Sequence, residues 1–477
     1  MCKGGFKVGI NKKLKAVISF CLVTFLVIVV VVGCSGKDNK NEANGLTSNV
    51  NQSTSSNNAD KSTDAGDSKS SQSTQEGKTK IVFWHNWATG PSGESMNKSV
   101  EEFNKSQDKI VVEPLFVATD AGDSITSKLL TAVAAGNPPD VMLASRYGIA
   151  EYMDAVTILN DLAERDNINA DMFYEWAWEE ANYDGQLLGL PYDGTARALF
   201  YNKDHFKEAG LDPEKPPLTI SELEEYAKKL TMRENGKITR FGFIPWYGEG
   251  WLYTWGWAFG GEFYDETTGK VTANHPKIVE ALTWMTSFAE QFGIENVTSF
   301  TSSAGSDAMN PFIAGQLSMM VTGNWMIGQI EQYNPDLNYG ISYIPTPDGK
   351  NFTTYVGGRA LIIPKGAKNL EEAWTFVKWM CTSEEGQSLK KITMEFSARP
   401  DVNAKIYDDD PRQEIFLEVL PNGKHRPVIL AGNMMWDELA KAPDLVINKQ
   451  GTPKEVLDQI TEKINNEIEK KKASLIK

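Results

Sequence analysis

The sequence predicts an α/β protein built as two lobes, and three observations carry that expectation. Short β-branched runs alternate with segments of helical spacing through the first part of the folded region, the pattern of a largely parallel sheet covered by helices. Once a leader and a polar tether are set aside, roughly 400 residues remain, more than one core usually organises. Gly- and Pro-containing breaks separate the segments and mark them as distinct elements.

The first strand is read over Lys80–Trp84 and is bounded by a turn at Gly90-Pro91-Ser92-Gly93. Ser95–Asn104 has helical spacing, Lys109–Val117 is a second strand, and Ser124–Ala135 is a helix stopped by Gly136-Asn137-Pro138-Pro139. Asp140–Leu143 is a short buried strand. Beyond Pro191 a second block begins: a strand at Ala198–Tyr201, a short helix at Lys203–Ala209 and a helix at Ser221–Leu230, capped by Ser221 with Glu224 three residues on. Phe241–Ile244 is expected as a strand, His275–Phe292 and Asp307–Ala314 as helices, and Leu317–Thr322 as a strand. Ala360–Ile363 reads as a strand, Leu370–Thr382 as a helix, and Pro453–Lys472 as an amphipathic packing helix.

Ahead of all this, Lys3, Lys7, Lys12, Lys13 and Lys15 precede a weakly polar to apolar run from Val17 to Val32 that ends in Gly33-Cys34. A basic start, an apolar stretch and a small residue describe an export signal. The Gly-Cys ending resembles the lipobox of bacterial lipoproteins. That resemblance implies removal of residues 1–33, an acyl chain such as palmitate on Cys34, and anchoring to the outer face of the cytoplasmic membrane. An uncleaved signal-anchor, with Val17–Gly33 at the short end of a bilayer span, would also leave the rest of the chain outside. From Cys34 to residue 79 the chain is Ser, Asn, Thr, Asp, Lys, Gly and Gln with little apolar content, the composition of a flexible tether.

Charge and cysteines exclude several function classes. The chain carries −15, and the leader's five lysines without an acid leave −20 on the remainder. Such a surface repels phosphate backbones, so no nucleic-acid partner is expected. Beyond the leader and Cys34 the one cysteine is Cys381, which excludes an intramolecular disulfide and reads as a buried structural residue. His85, His205, His275 and His425 lack partners at zinc-ligand spacing, so no metal or other cofactor is expected.

Aromatic residues carry the ligand chemistry. Four of the 13 tryptophans lie between Trp246 and Trp257, in a run that also holds Tyr247, Glu249, Trp251 and Trp255, interleaved with glycines. Flat rings beside a few polar groups suit a sugar, which has an apolar C–H face and an edge of hydroxyls. A second group, Trp84-His85-Asn86-Trp87, follows the first strand, and loops at the carboxyl ends of parallel strands are where open α/β sheets bind ligands. Arg146, Tyr192, Asp193, Trp325, Arg359, Arg399 and Trp436 are further candidates. Asp193 or Glu249 would accept two sugar hydroxyls, and an arginine would donate to ring and hydroxyl oxygens.

From about Lys80 onward the chain resembles the extracellular solute-binding proteins of ABC importers, in the maltose- and multiple-sugar-binding branch. The residues that carry the resemblance are Ile81–Trp87, Gly136–Val141, Leu190-Pro191-Tyr192-Asp193, Leu199–Leu211, Phe312–Trp325 and Val356-Gly357-Gly358. The resemblance implies a two-lobe periplasmic-binding-protein-like fold, an interlobe ligand cleft and three crossover segments, near 190–195, 355–360 and 395–400. Lobe I would comprise 80–190 with 360–396, and lobe II 191–359 with 397–477. It further implies an oligosaccharide ligand, an ABC permease as partner, a monomer and no catalysis. The implied sugar contacts are His85, Asn86, Trp87, Arg146, Tyr247, Glu249, Trp251, Trp325 and Trp436, with Gly358 in the paired glycines.

One position departs from the family pattern. Many relatives carry an aromatic residue after the paired glycines, and this chain has Arg359. A cleft-facing arginine would favour an acidic ligand such as a uronate-containing oligosaccharide, whereas one paired with a neighbouring carboxylate would not. The competing function is a surface glycosidase or polysaccharide lyase, which needs two carboxyl groups across a bond, and no acid pair in the sequence marks that arrangement. The same fold could also take glycerol phosphate, a polyamine or a metal, and the tryptophan content argues against the last two.

Overall fold

The computed structural model describes residues 77–87, 90–118, 126–303 and 310–475. The expected leader, Cys34 and nearly all of the tether lie outside them. The described chain opens with β1 (Thr79–His85), α1 (Gly90–Ser106), β2 (Ile110–Phe116), α2 (Thr126–Ala134) and β3 (Val141–Ser145), in the expected order. A strand followed by a helical crossover must return parallel. β1 accordingly pairs in parallel with β2, from Thr79 against Ile110 to His85 against Phe116, and with β3 at Phe83 and Val141. Gly90-Pro91-Ser92-Gly93 is the first turn of α1 rather than a closing turn. Proline suits a helix start, where its missing N–H would have no intrahelical partner.

The middle of the chain supplies α3 (Glu175–Glu180), β4 (Leu190–Pro191), β5 (Asp193–Gly194) and β6 (Arg197–Asn202), then α4 (Lys203–Glu208) and α5 (Ile220–Leu230). α5 is capped by Thr219, whose hydroxyl accepts from Glu222 N–H while the Glu222 carboxylate accepts from Thr219 N–H. The cap therefore lies two residues before the expected Ser221. Phe241–Ile244 is not a strand, and only Phe241 bridges to Leu317. Gly242 lies so close to the α5 backbone that a Cβ there would come within 2.1 Å of Ala227 O, so this segment packs on the helix instead of extending a sheet.

α6 (Leu252–Ala258) and α7 (Pro276–Phe292) follow. Every residue of α6 is buried, which corrects the expectation that its rings face a cleft. Trp255 packs edge-on against Trp284 of α7 at 4.6 Å and donates to Pro245 O at 2.9 Å. Residues 310–314 form a turn, not the expected helix, and 307–309 lie outside the described residues. β7 (Met319–Gly323), α8 (Met326–Tyr333), β8 (Tyr339–Ser342), β9 (Arg359–Ile362), α9 (Leu370–Thr382), β10 (Phe396–Ser397), α10 (Gly432–Ile447) and α11 (Pro453–Leu475) complete the elements used below. Among the described residues no helix is long and apolar enough to cross a membrane.

Two main sheets result. One has five strands in the order β2-β1-β3-β9-β4, with β9 antiparallel to both neighbours; the other has three antiparallel strands, β7-β6-β8. Between them the backbone segments form a small ladder. Tyr192 N–H donates to Arg359 O at 2.9 Å and Thr195 N–H to Gly357 O at 3.0 Å. β5 pairs with β10, Asp193 opposite Ser397. The three stretches expected as crossovers therefore run side by side, and they sit where the functional cleft opens.

The cap gives a direct check. Thr219→Ala should lower stability by about 1 kcal/mol, whereas Ser221→Ala, at an exposed position, should stay within about 0.5 kcal/mol of wild type. Denaturant midpoints for the two variants measure the difference.

Candidate functional site

A cleft of about 720 Å³ opens over the paired crossover segments. The start of α1 (Gly90–Ser92) and Ser145 line one wall; Arg197, Glu249, Trp325 and Gln329 line the other; Thr195, Gly357, Gly358, Arg359 and Glu395 form the floor. A second, shallower depression of about 850 Å³ runs along the outer face of α1 and meets the cleft at Gly90, Pro91 and Gln332.

Local backbone geometry places the functional groups. Gly248 at φ +72° turns the chain so that Glu249 N–H donates to Val321 O of β7 at 2.8 Å, and a side chain at Gly248 would collide with that carbonyl. The Glu249 carboxylate then accepts from Arg197 at 2.9 and 3.1 Å. Arg197 lies over the rings of Tyr355 at 4.1 Å and Trp325 at 5.2 Å. One wall thus presents an ion pair framed by aromatic rings. Gly358 is required for a different reason: a Cβ there would approach Asp193 O to 2.4 Å and Arg146 Nη2 to 2.6 Å.

The floor is ionic. Arg359 donates from its backbone N–H to Asp193 Oδ1 at 2.6 Å and from Nη1 to Asp193 Oδ2 at 2.8 Å, with Glu395 Oε1 at 3.4 Å. Its guanidinium lies 4.4 Å from the centre of the Trp87 ring. Of the two readings open for Arg359, the structure shows the paired one. Burial works to raise Asp193, yet Arg359, Lys390 and Arg146 hold its carboxyl below the ordinary value. Burial pushes Glu395 above its ordinary value against the pull of Arg359. Lys390 Nζ is buried without a hydrogen-bond acceptor and lies 2.9 Å from the Tyr192 ring centre. Burial lowers Lys390 to about 8, opposed by Asp193 and Glu395.

Four of the expected site residues line the cleft: Glu249, Trp325, Gly358 and Arg359. Trp87 lies directly beneath Arg359. Asp193 and Tyr192 are wholly buried under the floor, and both Asp193 oxygens are taken by Arg359. Arg146 is also wholly buried. It pairs with Glu180 of α3 at 3.1 Å and donates to both Asp193 O and Arg359 O at 2.7 Å, so it clamps two crossovers from below. His85 is buried at the end of β1, and desolvation lowers its pKa; Asn86 beside it is exposed.

Trp251 and Trp436 pack against each other at 4.8 Å, and Tyr247 stands half-buried with its ring edge-on to Phe300. Trp255 belongs to the core behind the cleft wall, as its contacts with Trp284 and Pro245 show. Arg399 turns away to Asp401 and to Thr382 O. Among the described residues no group of His, Cys, Asp and Glu is placed to hold a metal ion.

Sequence reasoning missed Arg197, Glu395 and Arg426. Arg197 had a signal, since a cation opening the apolar strand Ala198-Leu199-Phe200 interrupts its pattern. Glu395 and Arg426 lie in short irregular stretches with no periodicity to break.

Comparison with known proteins follows the same lines. The family model for bacterial extracellular solute-binding proteins matches residues 87–387. The maltooligosaccharide ABC transporter solute-binding lipoprotein of Streptococcus pneumoniae is 27% identical over 361 residues, 72% of this chain and 80% of that one. The maltotriose-binding protein of Pyrococcus abyssi is 24% identical over 363 residues, covering 72% and 71%. Among solved structures, the mannotriose-bound protein CpMnBP1 superposes with a TM-score of 0.73 at 30% identity, covering 81% of this chain and 100% of that one.

The buried ammonium under the floor predicts a pH signature. Lys390 faces Asp193, Glu395, Arg359, Tyr192 and Cys381. Below about pH 8 it is charged in both folded and unfolded protein, and the folded state bears the full cost of burying the charge. Between about 8 and the ordinary 10.5 the folded protein loses the proton first, so stability tied to Lys390 rises with pH. The stability of wild type relative to Lys390→Met should therefore increase by ~2–3 kcal/mol from pH 7 to 10. A difference that stays flat over that range would remove this account.

Proposed function

The chain belongs to the bacterial extracellular solute-binding proteins, and on that premise we propose that it captures a short oligosaccharide in the cleft and hands it to an ABC permease. The observation that carries the reading is the cleft wall itself, where the Trp325 ring stands beside the Arg197–Glu249 pair. That combination offers a stacking surface for a pyranose face and charged partners for its hydroxyl edge. The named ligands of the structures at 30–31% identity, mannotriose and mannobiose, support a ligand of two or three sugars. The names of the curated relatives support an α-glucan alternative. The cleft volume falls within the usual range for small-molecule sites.

The protein performs no reaction on its ligand in this reading. Glycoside hydrolysis needs an acid and a second carboxylate across the bond. The two carboxylates lining the cleft, Glu249 and Glu395, are both engaged by arginines. The work done is differential affinity for open and closed arrangements of the lobes. The anchor is an acyl chain on Cys34, which holds a monomer at the outer face of the cytoplasmic membrane. Support for it comes from the Gly33-Cys34 ending of the leader and from the lipoprotein name of the pneumococcal relative.

Two outcomes are expected. In calorimetry against manno- and malto-oligosaccharides, at least one series binds and is recovered uncleaved, and Trp325→Ala weakens it about tenfold. Recovery of shortened sugars would instead establish an enzyme. In cells fed a labelled fatty acid, the wild-type protein takes up label and stays with membranes, whereas Cys34→Ala is unlabelled; label on the variant would sink the anchor assignment.

A further inference from the structure

Three arginines line the cleft: Arg197, Arg359 and Arg426. Two are neutralised within the protein, Arg197 by Glu249 and Arg359 by Asp193 with Glu395. Arg426 is different. Among the described residues it forms no ion pair and its guanidinium donates no hydrogen bond, and its Nε is buried without an acceptor. The residue is only 9% exposed, so water does not compensate the charge as it would on a surface. The carboxylate whose charge acts on it is Glu180, and that one is committed to Arg146 at 3.1 Å. The adjacent His425 is turned to Glu179.

The surroundings fix the guanidinium without discharging it. Its centre lies 3.6 Å from the Tyr147 ring, 5.0 Å from Trp436 and 5.2 Å from Tyr355. Such a cage holds the plane of the group and leaves its N–H edge to act. Gly357 stands beside that edge, where even a Cβ would come within 3.4 Å of Nη2. The positive charge is no by-product of a basic protein, since the chain carries −15.

We propose that Arg426 is the anchor for a carboxylate on the ligand, so that this cleft selects an acidic, uronate-bearing oligosaccharide over its neutral counterpart. The proposal rests on the oligosaccharide reading above and narrows its substrate class. A neutral hydroxyl would satisfy the orphaned donor but leave the buried charge uncompensated. A carboxylate satisfies both, with two oxygens that match the guanidinium edge. The role that the sequence suggested for Arg359 thus passes to Arg426, because Arg359 already has its carboxylates.

The test is calorimetry on the intact protein with uronate-containing di- to tetrasaccharides and the same sugars after chemical reduction of their carboxyl groups. The acid forms should bind at least about tenfold more tightly than the reduced forms. Raising salt should weaken the acid forms selectively. Arg426→Gln should collapse the gap between the two forms, and Arg426→Lys should keep part of it. The salt arm needs no variant and so stands even if a substitution impairs folding. Equal binding of acid and reduced forms, or a neutral oligosaccharide as the tightest ligand, overturns the carboxylate anchor and leaves the oligosaccharide reading intact. A sugar phosphate that outcompetes every uronate overturns it in favour of phosphate, and silence with all sugars overturns both readings.

Discussion

The contact on which the rest of the structure depends is the one between Asp193 and Arg359. It joins two crossover segments twice, through the Arg359 backbone N–H and through its guanidinium. Arg146 reinforces it from below by donating to the carbonyls of the same two residues. Asn324 ties the first and third crossovers, accepting from Ala196 N–H and donating to Met394 O. A buried ion pair of this kind adds little net stability, because the desolvation of both charges offsets their attraction. What it fixes is geometry. Losing either partner would strand a charge in the interior, so the register of the crossovers is specified far more sharply than backbone ladders of two residues would achieve alone.

The cleft inherits its character from that constraint. The floor cannot carry side chains where the segments approach most closely, hence the glycine at 358. The charges that do reach the surface are already matched at Arg359 and Arg197. Matched pairs present directional donors and acceptors without a strong field, which suits the uncharged hydroxyls of a sugar. Against that neutral background a single unmatched guanidinium at Arg426 stands out, and specificity follows from contrast more than from the number of charges.

Much of this was legible in the sequence, and the failures have identifiable causes. The βαβαβ opening was readable because Ile81, Phe83 and Val112 face the core in a strand whose partners are set by helical crossovers. Glu249 was found because it lies within the densest aromatic stretch, and Trp325 because its Gly323-Asn324-Trp325 setting resembles a stacking position of the family. Trp255 was misread because a ring flanked by Gly256 looks exposed, while in fact the glycine lets Phe263 pack against the helix, with a Cβ at Gly256 meeting its ring at 2.5 Å. Whether Arg146 or Asp193 lies under a floor or upon it depends on residues about 50 to 200 positions away, and no local pattern records that. The cap moved from Ser221 to Thr219 because both offer a hydroxyl three residues before a glutamate, and the choice is made by how the chain enters the helix.

Arg359 also changes how a ligand can be gripped. Its guanidinium lies over Trp87 and covers a ring that would otherwise serve as a stacking platform. That leaves Trp325 as the tryptophan lining the cleft, on the opposite wall. Under the proposed function, a sugar stacked there would turn its other face to the α1 start, where Gly90, Pro91 and Ser92 offer backbone and a hydroxyl rather than rings. Binding in that reading is one-sided in its apolar component. Closure over a ligand stacked at Trp325 would, under the same proposed function, add polar contacts from the α1 start, while the Asp193–Arg359 contact keeps the crossover segments between the two walls in register.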